Sequence, residues 1–113
     1  MRQERGLIAG DIRLDEPTEV WGKVSGDVTV GPAGKVYVRG TVYGRLIVEA
    51  GGRCHVFGSV VGDMRVGADA KVIHSGHVTG DVTNAGGRLT VEAKAVIGGR
   101  LKTRGGKTTD ERL

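Results

Sequence analysis

Glycine returns along this chain at every eighteenth position. Gly26, Gly44, Gly62, Gly80 and Gly98 form one series, and Gly22, Gly40, Gly58 and Gly76 form a second. Together they frame Gly-Lys-Val-Ser-Gly-Asp-Val (22–28), Gly-Thr-Val-Tyr-Gly-Arg-Leu (40–46), Gly-Ser-Val-Val-Gly-Asp-Met (58–64) and Gly-His-Val-Thr-Gly-Asp-Val (76–82). A fifth copy, Gly-Leu-Ile-Ala-Gly-Asp-Ile (6–12), comes first and is set closer to its successor, Gly6 to Gly22, than the others are to theirs. A period near 20 residues marks a solenoid, in which one repeat cannot bury its own apolar face but a stack of repeats buries a shared core. Gly supplies 21 of the 113 residues and the only aromatics are Trp21, Tyr37, Tyr43 and Phe57, which excludes a two-layer domain built round large rings. No apolar run exceeds three residues, too short for a transmembrane helix, and a cytoplasmic protein is expected.

Within each copy apolar and polar residues alternate, as in Val28-Thr29-Val30 and Val36-Tyr37-Val38-Arg39, the pattern of short strands with one buried face. The spacing predicts an all-β fold: a single-stranded parallel β-helix of about 18 residues per rung, with five to six rungs over residues 6–101. The frame glycines are expected to supply turn angles closed to other residues. Residues 1–5, a short segment, and 102–113, polar and Gly-rich, read as flexible tails. Stacking predicts four interior columns: Val24, Val42, Val60, Val78 and Val96; Val28, Leu46, Met64 and Val82; Val30, Val48 and Val66; and Val36, Cys54 and Val72. Late in the chain Asn84, Thr90 and Glu92 fall where earlier repeats are apolar, while Leu89 and Val91 offer an apolar set displaced by one. Gly86-Gly87 therefore marks an expected bulge and register slip.

Three hexapeptides of a left-handed β-helix would close a coil of the same length, and Val24, Val30, Val36, Val42 and Val48 do recur every six. Val28, Leu46, Met64 and Val82 break that shorter pattern and make the full coil the repeat. The Gly-x-Val-x-Gly-Asp-Val frame, followed by Val-Gly-Pro-Ala-Gly-Lys-Val (30–36), resembles the bactofilins, bacterial cytoskeletal proteins, over residues 6–101. The resemblance implies a right-handed coil, polymerisation without nucleotide, and attachment in some members to a membrane through an N-terminal tail. Met-Arg-Gln-Glu-Arg here is not apolar enough to suggest that attachment.

Catalytic chemistry finds little support. His55, His74 and His77 are the only histidines, and an 18-residue stack sets His55 under Ile73 with His74 on the opposite side of the strand, so no zinc site is expected. His74, in a column with Val38 and Val56, sits inward, or outward if the register slips. Asp11, Asp27, Asp63 and Asp81, with Arg45 among them, read as an alternating charge ladder. The Gly-x-Gly spacing has no following helix to hold a phosphate. Cys54 sits in a valine column and reads as a buried thiol. No cofactor and no catalytic residue is therefore expected.

The formal charge of +4 divides into +1 on residues 1–5, +2 on 102–113 and only +1 on 6–101, so no nucleic-acid partner is expected. Lys35, Arg53 and Lys71 stack as a basic column, read as a solvated face rather than a polyanion site because three like charges make no groove and no aromatic interleaves with them. Trp21, Tyr37, Arg39, Phe57 and Ile73 cluster on an outward face and are the candidates for lateral or partner contact, the alternative being that the N-terminal segment folds over them or that Trp21 only caps the first, shortened rung around Pro17. A solenoid also exposes an unpaired strand edge and a cut through its core at each end. The end-rung candidates for self-association are Leu7, Ile8, Ile12 and Leu14 at one end, and Leu89, Val91, Val96, Ile97 and Leu101 at the other. The function expected is a scaffold that stacks end to end into filaments, with itself as first partner and cytoskeletal or cell-envelope proteins as further ones. A subunit of a left-handed β-helical enzyme trimer and a monomeric module using the aromatic face are the alternatives.

Overall fold

A computed structural model describes residues 1–112. Every regular element among them is a strand, all pairings are parallel, and the chain winds through about six turns. Each turn crosses three faces. A broad face carries strands such as Lys35–Val38 and Arg53–Val56, a narrow face Thr41–Val42 and Ser59–Val60, and an intermediate face Leu46–Val48 and Met64–Val66. Successive strands from Lys35 start six, five and seven positions apart, so the turn is one unit and not three equal hexapeptides. The strand Val82–Val91 bends from the intermediate to the broad face and joins both into one 11-stranded sheet, while the narrow face is a 6-stranded sheet.

Alternation builds the interior. In Lys35–Val38, Arg53–Val56 and Lys71–His74 the second and fourth residues point in and are buried, and in Val28–Val30 and Leu46–Val48 the outer two do so. The buried columns are the expected ones through the fifth turn: Val28, Leu46, Met64 and Val82 pair in series, as do Val36, Cys54 and Val72. Stacked valines in their stiff preferred rotamers suit this narrow interior.

The frame glycines are needed for space rather than for angle. A Cβ at Gly22, Gly40, Gly58 or Gly76 would run into the carbonyl oxygen of the glycine one turn below. Positive φ occurs at Gly10, Gly51, Gly86, Gly106 and Asp69, and only Gly10 belongs to the frame. The expected reason for the frame is thereby corrected: narrow corners press one turn's backbone against the next, leaving no room for a side chain.

The register slips where Gly86-Gly87 marks it. Val72 pairs with Leu89, one position short of the regular interval, and Val91 takes the position above His74. The chain then lengthens, and the pairs His77 with Val96 and Val82 with Leu101 each lie one position beyond that interval. Two assignments change with this. Ile97, not Val96, continues the column of Val78, so Val96 points outward and is exposed. Gly99, not Gly98, donates its amide to the Gly80 carbonyl.

Both segments read as tails carry strand. Arg2–Glu4 pairs with Thr18–Val20 across the shortened first turn, and Leu101–Asp110 runs along Val82–Val91. Backbone pairing explains this, because an edge strand of a solenoid accepts any sequence that keeps its amides and carbonyls aligned.

Candidate interaction surfaces

The two ends of the coil are the first surface. Arg2–Glu4, Leu7–Ile8 and Ile12–Leu14 form the edges of their sheets at one end, and Val96–Ile97 and Leu101–Asp110 do so at the other. Ile8, Ile12, Ile97 and Leu101 are partly buried and pack against the core, leaving apolar surface at each end. Three of the end-rung candidates are different in kind. Leu89 and Val91 are fully buried because Leu101–Asp110 covers their strand, and Leu14 is fully buried in the first turn. Leu7 and Val96 are exposed, and they stand in the outward column of the narrow face rather than in the core.

The broad face is the second surface. Glu19, Tyr37, His55 and Ile73 stack in one outward column. Arg39 sits at the centre of an aromatic group, its guanidinium 4.5 Å from the Phe57 ring, 5.1 Å from Trp21 and 5.8 Å from Tyr37. Glu19 fixes that guanidinium through a 3.0 Å ion pair, and hydrogen bonds from Gln3 and Arg39 hold the Glu19 carboxyl below its ordinary range. His55 and Phe57 stack at 3.8 Å. The five lateral-face candidates thus lie on one face, with Ile73 next to His55.

Beside this group runs the basic column, longer than the sequence suggests. Lys35 pairs with Arg53, Arg53 with Lys71, Lys71 with Arg88 and Arg88 with Lys107. The expectation that no aromatic accompanies it is also corrected, since the Lys35 ammonium lies 5.8 Å from the Tyr37 ring. Arg88 and Lys107 were hidden in the sequence because the spacing first shortens and then lengthens by one position. Allowing the column to follow the Gly86-Gly87 slip would have found them.

The aspartates do more than alternate charge. Asp11, Asp27, Asp63 and Asp81 each accept a hydrogen bond from the backbone amide one turn above, at Asp27, Arg45, Asp81 and Arg100, over 2.7–2.8 Å. They satisfy corner amides that have no strand partner, a role that needs a short carboxylate immediately after the corner glycine. The amide and guanidinium of Arg45 together hold the Asp27 carboxyl below its usual range.

The histidines lie apart from one another in function. His77 is exposed on the narrow face, and His74 is buried with Nε2 bonded to the Val96 carbonyl at 3.1 Å. His55 Nε2 meets Ser75 Oγ at 2.9 Å, and Ser75 donates to Glu92. In that trio the hydroxyl gives its proton to the carboxylate rather than to the imidazole, the wiring of a clip between turns and not of an activated nucleophile. Cys54 is buried, and desolvation pushes its thiol up to about 12, far from the thiolate form that reacts. Among the described residues no group of three His, Cys, Asp or Glu side chains is placed to hold a metal. Among the described residues no helix is long and apolar enough to cross a membrane.

Among known proteins, the family model for Bactofilin, described as polymer-forming cytoskeletal, matches residues 3–102. No curated protein and no solved structure matches the chain. The family match spans every turn from the first broad-face strand to the start of the last strand, the same stretch over which the glycine frame, the valine columns and the parallel coil coincide. With sequence pattern, fold and family model in agreement across that length, the chain belongs to the bactofilin family.

Proposed function

We propose that this protein is a cytoplasmic scaffold whose subunits stack end to end into filaments, without nucleotide, at the inner face of the cell membrane. The observation that supports stacking most directly is the pair of open ends, each with unpaired strand edges and a partly buried isoleucine on the narrow face, Ile8 and Ile97. Joining two ends pairs backbone groups that otherwise face water and closes the cut through the valine interior. Open association of this kind continues into a fibre. Other cytoskeletal or envelope proteins would then meet the filament along its sides.

Electron microscopy and sedimentation of the purified chain test this, with and without ATP, GTP and chelator. Filaments are expected in every condition. Ile12→Lys or Leu101→Lys would bury an uncompensated charge in a stacked end but leave it near water in the free subunit, so polymer is lost while thermal unfolding changes little. Phe57→Ala and Tyr37→Ala are expected to leave filaments in place and alter bundling. Long filaments from both end variants, with loss of filaments in Phe57→Ala, would make the broad face the polymer interface instead.

A further inference from the structure

Lys35, Arg53, Lys71, Arg88 and Lys107 stack on consecutive turns of the broad face, all five exposed. Neighbouring strands lie about 4.8 Å apart, so the five charges line up over roughly 19 Å. None of them forms an ion pair among the described residues, although Arg2, Arg13, Arg39, Arg45, Lys102 and Arg112 all do. Like charges directly opposite one another destabilise a sheet, so an unbroken column of them works against the fold that holds it. The acids on the same face are already engaged, Glu19 by Arg39 and Glu92 by Ser75. Asp69 is the one carboxylate lining the corner groove beside Lys71 and Arg88.

Apolar side chains share that face. Trp21 is 43 %, Ile73 39 % and Phe57 37 % exposed. A shallow groove of about 210 Å³ lies between Lys35, Tyr37, Arg53, His55, Lys71 and Ile73. The ring faces are largely taken: Arg39 lies over Trp21 and Phe57, and His55 stacks on Phe57. A single-stranded nucleic acid needs free ring faces on which bases stack, and here Arg5 and Arg39 lie over Trp21 while Arg39 and His55 lie against Phe57. A flat, anionic surface asks only for a row of cations and for aromatic and aliphatic side chains that reach headgroup depth.

We infer that the broad face docks on an anionic lipid bilayer, with the Lys35–Lys107 column on the headgroups and Trp21, Phe57 and Ile73 at the interface. The inference rests on the scaffold reading above and assigns its membrane contact to the β-helix itself. The column runs along the coil axis, so stacked subunits would repeat it and bind with the avidity of many linked sites.

The test is co-sedimentation of the full chain with vesicles of phosphatidylcholine alone or with about one-third phosphatidylserine, at low and high salt. Wild type should pellet with the mixed vesicles, be released by salt and ignore the neutral ones. Each cation near an anionic surface is worth about fivefold in partitioning, so Lys35→Glu/Arg53→Glu/Lys71→Glu should lower binding by more than a hundredfold. Lys23→Glu/Arg65→Glu/Arg100→Glu, with the same change in net charge on exposed sites away from the broad face, should keep most of it. Equal binding by the two triple variants, or none by wild type, overturns the inference. Retention of a single-stranded oligonucleotide in place of vesicles overturns it as well and reassigns the column to nucleic acid. Filaments are scored without vesicles, and Ile12→Lys subunits should still bind anionic vesicles, more weakly; failure to polymerise therefore reads separately from failure to dock.

Discussion

At its N-terminal end the coil drops two residues and keeps an interior that is apolar but for Thr18, whereas at its C-terminal end it changes spacing twice and sinks Asn84 and His74 into two of the valine columns. The place where the length changes explains the difference. The two missing residues of the first turn come out of the exposed corner at Asp15-Glu16, where amides meet water. Near the other end the corner Ala85–Gly87 is one residue shorter than its counterparts and lies against the turn below, with Gly87 buried. Asn84 compensates there, accepting from the Gly86 and Gly87 amides at 3.1 and 2.9 Å and donating to the Gly87 and Lys107 carbonyls. A solenoid can vary its turn length freely at a wet corner, but at a dry one a side chain must take over the lost backbone bonds.

Glycine substitutions should separate the ends most sharply. Gly6 and Gly76 occupy the same column, yet a Cβ at Gly6 meets nothing within 4 Å while one at Gly76 collides with the Gly58 carbonyl. Forced overpacking of this kind costs about 3 kcal/mol, against less than about 0.5 kcal/mol for a tolerated surface change. Denaturant unfolding of Gly76→Ala should therefore move well below wild type while Gly6→Ala coincides with it. Equal loss in both would mean that the glycines serve backbone angle after all.

Buried polar residues give the next contrast. Thr18 and Asn84 both stand in columns of valine, Thr18 below Val36 and Asn84 above Val66. Thr18 makes one side-chain bond, to the Glu16 carbonyl at 2.9 Å, so Thr18→Val should change stability by less than about 1 kcal/mol. Asn84→Val restores the repeat pattern yet strands two amides and two carbonyls at a closed corner, and should cost about 2–3 kcal/mol. Hydrogen exchange should localise the loss to Ala85–Gly87. A neutral Asn84→Val would show that the shortened corner reaches water.

These contrasts mark how far the sequence could be read. The coil, its columns and the slip at Gly86-Gly87 followed from the glycine interval and valine alternation, because a stacked fold converts linear spacing directly into contact. The glycines' role was misread, since crowding by the turn below is a property of corner width that no interval encodes. Val96 and Gly98 were placed one position off and Arg88 and Lys107 missed for one shared reason: a ruler of constant length fails once a corner gains or loses a residue. The aspartates' bonds to corner amides were hidden because charge alternation and amide satisfaction use the same residue at the same place.

The smallest effect concerns His74, and it distinguishes the ends by pH. Val20, Val38 and Val56 precede it in its column, and the imidazole stands fully buried, Nδ1 without a partner. Burial holds its pKa below the ordinary 6.5, the bond to the Val96 carbonyl opposes that shift, and Arg112 and His77 add repulsion to the protonated form. In the unfolded chain His74 takes up its proton near pH 6.5, while in the folded chain it stays neutral to lower pH. Its contribution is therefore whole above about pH 6.5, falls as the pH drops through the interval below, and is gone beneath the folded value. His55, also shifted down mainly by burial, acts in the same direction on the broad face, so the comparison needs both single variants. Asp27, Asp81 and Asp110 are shifted below the usual carboxylate range and lose their share only under more acidic conditions, in a separate window. Thermal unfolding between about pH 7.5 and 5.5 should show a falling midpoint that His74→Val largely removes and His55→Gln only reduces. Exchange protection should drop first in Val96–Ile97 and Leu101–Asp110, which pack against His74 and the turn above it, and should persist in Ile12–Leu14; simultaneous loss at both ends would mean that the coil unfolds as one unit and that its two ends, though built differently, are not separately stable.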